Sequence, residues 1–156
     1  MRLSPHFNLA EFTHSQAAAR AGRELVVPEQ FIPHLQRLCV LVLEPLRDAL
    51  GLSVHISSGY RDDIVNRLVG GAATSAHVEG RAADITVPGR TPYEVARALQ
   101  DLKLAALDKC ILEFDAWVHV QVPRTPGAAR EQYLTARKIG GQVYYFDRLL
   151  RKGEAP

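Results

Sequence analysis

The chain has 156 residues, 47% hydrophobic and 23% charged, with a formal net charge of +2. That length fits one domain with an ordinary core, and the composition excludes disordered, collagenous and disulfide-framework classes. A charge this close to neutral gives no reason to expect a nucleic-acid partner, and no apolar run is long enough to span a bilayer. We therefore expect a single domain over residues 1–156, a monomer or weak oligomer, with no nucleic acid and no membrane as partner. Met1 to His6 lacks the apolar stretch of a signal peptide, so cytoplasmic synthesis is expected. Action outside the cell would then need lysis or another route. Cys39 and Cys110 sit in apolar surroundings and read as buried thiols; a disulfide between them stays open.

In chain order, Asn8 and Glu11 have the spacing of a capping box, and a short helix should follow. Residues 15–20 favour a second helix, which Gly22 would end. From Pro28, the residues Phe31, Leu35, Leu38, Val42, Leu46 and Leu50 recur at spacings of three and four and predict a long helix with one apolar stripe. Pro45 should kink or split it, and Gly51 should close it. Residues 52–57 alternate as a strand, with His55 on the outer face. Ser58-Gly59 marks a turn, and a short helical segment follows Arg61. Gly70-Gly71 opens a loop that lacks the Gly-Lys-Ser/Thr ending of a phosphate loop. Thr91 and Glu94 form a second capping box with Pro92 at the first helical position. Residues 110–114, 117–122 and 142–146 read as strands, and residues 148–156 as a polar tail. Strands and helices do not alternate strictly, so an α+β fold is expected: a small antiparallel sheet packed against N-terminal and flanking helices.

The segment from Ser75 to Asp84 carries the chemistry. If Gly80-Arg81 is the two-residue turn of a hairpin, His77 lies opposite Asp84 with Cβ atoms about 5 Å apart. In residues 117–122, valines alternate with Trp117, His119 and Gln121, which places His119 on the open face of a strand. His77, Asp84 and His119 together could hold one zinc ion per chain and leave a position for water, as catalytic zinc sites do.

The ordered set Ser57-Ser-Gly-Tyr-Arg61, Asn66, Gly70-Gly71, Ser75, His77, Gly80, Ala82, Asp84 and His119 resembles the zinc D-alanyl-D-alanine carboxypeptidase family, whose fold is shared with the Hedgehog signalling domain. Residues 4–12 are similar to the start of its phage-type members. The resemblance implies a Hedgehog/DD-peptidase-like fold, a zinc cofactor and hydrolysis of peptidoglycan stem peptides. The bond implied is D-Ala–D-Ala, or L-Ala–D-Glu as in related endopeptidases, with a phage or prophage lysis role. It also implies that Arg61 holds a substrate carboxylate through its planar fork. Ser75 would bind substrate or orient His77, and Trp117 would wall the site. One branch of the family has Glu three residues before the third ligand, where this chain has Ala116. Glu113 and Asp115 are the remaining candidates for the general base. Glu113 is preferred, because an apolar strand setting raises a carboxylate pKa while Asp115 suits a turn. The absence of Glu at 116 leaves a rival reading, a non-catalytic zinc-binding or peptide-binding module.

Overall fold

The computed structural model describes residues 1–156. A small hairpin of β1 (Arg2–Ser4) and β2 (Phe7–Asn8) leads into α1 (Leu9–Thr13). The amide of Asn8 donates to Glu11 Oε2 at 2.7 Å, half of the expected capping box. Ser15 caps α2 (Gln16–Arg20) by accepting from the Ala18 amide at 3.2 Å. The long apolar stripe then forms one continuous helical run: a 3-10 turn (Glu29–Phe31), α3 (Ile32–Leu38), a π-turn (Cys39–Leu43) and α4 (Glu44–Leu50). Pro45 explains the π-turn. It has no N–H to give to the preceding turn, and its ring obstructs normal winding. The chain widens instead, and the Glu44 amide bonds Cys39 O, five residues back. Gly51, at φ 62°, stops the run in the left-handed region that glycine adopts without strain. Leu35, Leu38, Val42 and Leu46 are fully buried, as their spacing predicts.

The second half builds the sheet. β3 (His55–Ser58), α5 (Asp63–Leu68), a 3-10 turn (Ala76–Glu79), β4 (Ala82–Thr86) and α6 (Pro92–Leu102) precede β5 (Lys109–Glu113), β6 (Trp117–Gln121), β7 (Gln132–Ile139) and β8 (Gln142–Phe146). The strand order is β3-β4-β6-β5-β7-β8. The architecture is α+β, but the sheet differs from the small antiparallel one expected: it has six strands, and β5 pairs with β7 in parallel. β7 falls in a stretch for which no element is predicted from the sequence, and it is the longest strand of all. Alternation along the strands divides the sheet into two faces. Ala83, Ile85, Cys110, Leu112, Val118 and Val120 join the core, with Val95, Ala96 and Leu99 of α6 in the same cluster. Cys39 and Cys110 are both buried there as free thiols. The opposite face carries Asp84, Glu113, Trp117 and His119 into an open cleft. His55 is exposed and pairs with Thr86, away from that cleft. No helix is long and apolar enough to cross a membrane.

Candidate metal centre

His77 and Asp84 are not two arms of a hairpin, as the Gly80-Arg81 turn required. His77 lies in the 3-10 turn, and Gly80 closes that turn at φ 65° and ψ 25°. A type II′ turn needs positive φ with strongly negative ψ at its first central residue, so Gly80 serves as a left-handed helix cap instead. Arg81 leaves the turn buried, donating through Nη1 to Val122 O at 2.9 Å. The two side chains still converge. Asp84 lies directly across from His119 in the β4–β6 pair, so both side chains share the cleft face. His77 Nε2 is 3.2 Å from Asp84 Oδ1 and 3.2 Å from His119 Nδ1, and His119 Nδ1 is 3.1 Å from the same carboxylate oxygen. His77, Asp84 and His119 form the one group of metal-binding residue types drawn together in this way.

The outer partners of the two imidazoles decide what those atoms are. His77 Nδ1 donates to Gly59 O at 2.7 Å. His119 Nε2 donates to Gln121 Oε1 at 2.9 Å. A neutral imidazole carries one N–H, so each ring turns its bare nitrogen inward. Two nitrogen lone pairs and a carboxylate oxygen therefore face one another with no donor between them, an arrangement that a metal ion or an added proton would relieve. The triangle also fits a tetrahedral ion: ligand bonds of about 2.0–2.1 Å give ligand–ligand edges of roughly 3.3–3.4 Å. The electrostatics agree. Burial would raise the Asp84 pKa, but His77 and His119 hold it well below the usual carboxylate range. Burial lowers the His77 pKa despite Asp84. For His119, burial is outweighed by the hydrogen bond and charge of Asp84, with help from Gln121 and Glu113, and its pKa rises. The Asp84 carboxylate is thus held ionised, and His119, unlike His77, is drawn toward its charged form.

Around the triad the cleft encloses about 1080 Å³ and is lined by Arg61, Ser75, Glu113, Trp117 and Tyr145, among others. Arg61 joins the β3–α5 connection to the ligand turn through its amide, which donates to His77 O at 3.2 Å. Its Nε is buried without a protein partner, a donor left for something else. Burial lowers the Arg61 pKa, while Asp84 and Glu113 raise it in opposition. Ser75 caps the ligand turn, its Oγ accepting from the His77 amide at 3.3 Å. Glu113 pairs with Trp117, one step along the cleft face from the Ile111–His119 pair. Burial and the charge of Asp84 raise its pKa, against the pull of His119 and Arg61. Asp115 is half-buried in the β5–β6 turn with φ 54° and does not line the cleft. Trp117 stacks edge-on against Phe114 at 5.6 Å, and its Nε1 is buried without a partner.

Three residues of the site escaped sequence reasoning. Gln121, which supports His119, donates through Nε2 to Asp108 Oδ2 at 2.8 Å. Asp108 is gripped by Arg130, whose Nε lies 3.0 Å from Oδ1 and Nη2 2.7 Å from Oδ2. The position of Gln121, two residues beyond His119 on the same strand face, was the available signal. Asp108 and Arg130 lie outside any recognisable motif. Asn66, part of the resemblance, is buried beside the cleft and donates to Ala72 O at 2.9 Å, which shapes the loop before Ser75.

An α+β scaffold with three convergent donors at the foot of an open, partly charged cleft defines a candidate metal centre. Residues 5–121, about three quarters of the chain, match the family model described as Peptidase M15, and the chain belongs to that family. No curated protein matches the sequence.

Proposed function

We propose that this chain is a zinc metallopeptidase that cleaves stem peptides of peptidoglycan, as a D-Ala–D-Ala carboxypeptidase or a related endopeptidase. The observation that carries the reading is the inward convergence of three acceptors, His77 Nε2, Asp84 Oδ1 and His119 Nδ1, within 3.2 Å of one another. A zinc ion held there supplies Lewis acidity and activates water for hydrolysis. Glu113 acts as general base: it stands beside the triad on the cleft face, and its raised pKa suits a group that takes a proton and later gives it to the leaving amine. Arg61 presents a partly buried guanidinium with an unpartnered Nε to a substrate carboxylate. Trp117 forms a wall of the cleft, and Ser75 holds His77 in register by capping its turn.

The rival reading, a non-catalytic zinc module, rests on Ala116. A carboxylate from the neighbouring strand, Glu113, compensates for that residue, so the catalytic reading is retained. The N-terminal likeness to phage-type members supports a lysis role. The test is incubation of the zinc-loaded protein with purified peptidoglycan, with released fragments identified by mass spectrometry. Free D-Ala is expected from a carboxypeptidase and shortened stem peptides from an endopeptidase. His77→Ala should lose both zinc and product. A wild-type protein that binds zinc but releases nothing from peptidoglycan or synthetic stem peptides would refute the reading.

A further inference from the structure

We propose that Asp108 and Arg130 are positioning residues that set the tautomer of His119 through Gln121, and thereby the metal affinity of the site. This inference rests on the metal reading above. A glutamine amide can present either its oxygen or its NH2 group to a neighbour, so Gln121 by itself does not fix which nitrogen of His119 carries the proton. Asp108 removes that freedom. It is 3% exposed. Its carboxylate accepts the Arg130 backbone amide and Nε at Oδ1, both at 3.0 Å, and Arg130 Nη2 at Oδ2 at 2.7 Å. An ionised carboxylate only accepts, so Gln121 must turn its NH2 group toward Asp108. Its oxygen then faces His119, where it demands a proton on Nε2. Nδ1 is left bare toward Asp84 and His77. The direction of every bond in the chain is thus dictated from Arg130 inward. Arg130 lies beyond residues 5–121, so a residue outside the family-matched stretch governs a ligand inside it.

The test exchanges donors and acceptors. In Asp108→Asn, the remaining oxygen is best used at the Oδ1 position, where two Arg130 donors converge. The new NH2 group then faces Gln121, which must flip and offer its own NH2 group to His119 Nε2. That favours the proton on Nδ1, at the metal-binding atom. Zinc affinity, measured by competition with a chromophoric chelator, should fall about 10–100-fold, the usual cost of losing a partner behind a metal ligand. Adding Gln121→Glu to Asp108→Asn supplies an acceptor that suits both neighbours, and the double variant should recover most of the loss. Long-range 1H–15N spectra of the zinc-free proteins, taken at a pH high enough that the His119 signals no longer move, should show more Nδ1–H at His119 in Asp108→Asn and a return toward Nε2–H in the double variant. Since that readout needs no metal, it stands even if zinc is not the physiological ion. Should Asp108→Asn fail to fold, the double variant should fold and bind zinc within about threefold of wild type, because a carboxylate at position 121 accepts from both its neighbours and only Arg130 Nη2, on a half-exposed side chain, is left to water. A double variant no better than the single one, or an unchanged tautomer in a folded Asp108→Asn, overturns the proposal.

Discussion

Replacing Gly59 with Ala should strike the metal centre from behind without touching a ligand. A Cβ built on Gly59 lies 2.5 Å from Phe12 Cα and 2.6 Å from Phe12 O, both backbone atoms of α1. Ordinary van der Waals contact begins near 3.4 Å, so the two segments must separate by about 0.9 Å, the difference between 3.4 and 2.5 Å. Two hydrogen bonds oppose that movement. Tyr60 donates its amide to Phe12 O at 2.7 Å, and Gly59 O receives His77 Nδ1 at 2.7 Å. Taken up along the second bond, a 0.9 Å shift would stretch 2.7 Å to 3.6 Å, past the limit of a useful hydrogen bond. The overpacking should cost about 1–3 kcal/mol of stability, and loss of the imidazole's outer partner should weaken zinc binding about 10–100-fold. For a chain of this size each kcal/mol lowers Tm by roughly 2–4 °C. Thermal melts of the zinc-free protein and a chelator competition titration would read the two effects separately. If Gly59→Ala melted and bound zinc like the wild type, the close approach of α1 to the β3–α5 connection would have no energetic meaning and the reasoning would fail.

Other expectations concern the cleft and its rim. Glu113→Gln should keep zinc and fold while losing about 10²–10⁴-fold in peptide hydrolysis, the usual yield of a general base. Asp115→Asn should change the rate little, and the reverse pattern in the same assay would make Asp115 the base. Arg61→Ala should impair turnover of peptides with a free C-terminal carboxylate far more than that of amidated ones, and Arg61→Lys should not restore it, because an ammonium lacks the bidentate fork. Equal losses on both substrates would assign Arg61 to structure. Glu79 accepts hydrogen bonds from Arg124 and Arg81, which pull its pKa from 4.5 to about 2. A depressed folded-state value means its contribution is present above pH 4.5 and lost as the pH falls toward 2. Glu79→Gln should therefore flatten the acid side of a urea-denaturation stability profile over that window. An unchanged slope would show that the pairing adds nothing.

The parts of the molecule that the sequence exposed are those governed by local chemistry. The Thr91–Glu94 capping box, the apolar stripe from Leu35 to Leu46 and the alternating valines before and after His119 each reflect a period or a spacing that only one local structure satisfies. The donor set His77, Asp84 and His119 was also legible, but not the path that brings His77 to it. Gly80 permits either a hairpin turn or a left-handed helix cap, and nothing adjacent to it in the sequence distinguishes the two. Sheet partners beyond a hairpin were invisible. β7 is recruited to β5 in parallel from across a proline-rich connection, and its Arg137 and Lys138 disguise a strand whose Thr135 and Ala136 are buried. The Asp108–Arg130 pair joins residues 22 positions apart through tertiary placement alone.

The position of β5 has a consequence for modularity. The family match ends at residue 121, the last residue of the strand that carries His119, yet β5 has β6 on one side and β7 on the other. A shortened chain that stopped at the limit of kinship would turn an interior strand into a raw edge, with five residues of backbone unpaired from Lys109 to Glu113. It would also discard Arg130. Any change to the last two strands must therefore re-form the same seam with β5. A graft of the C-terminal segment between relatives should succeed when it brings both a strand for β5 and a cation for Asp108, and should fail when it brings only the strand.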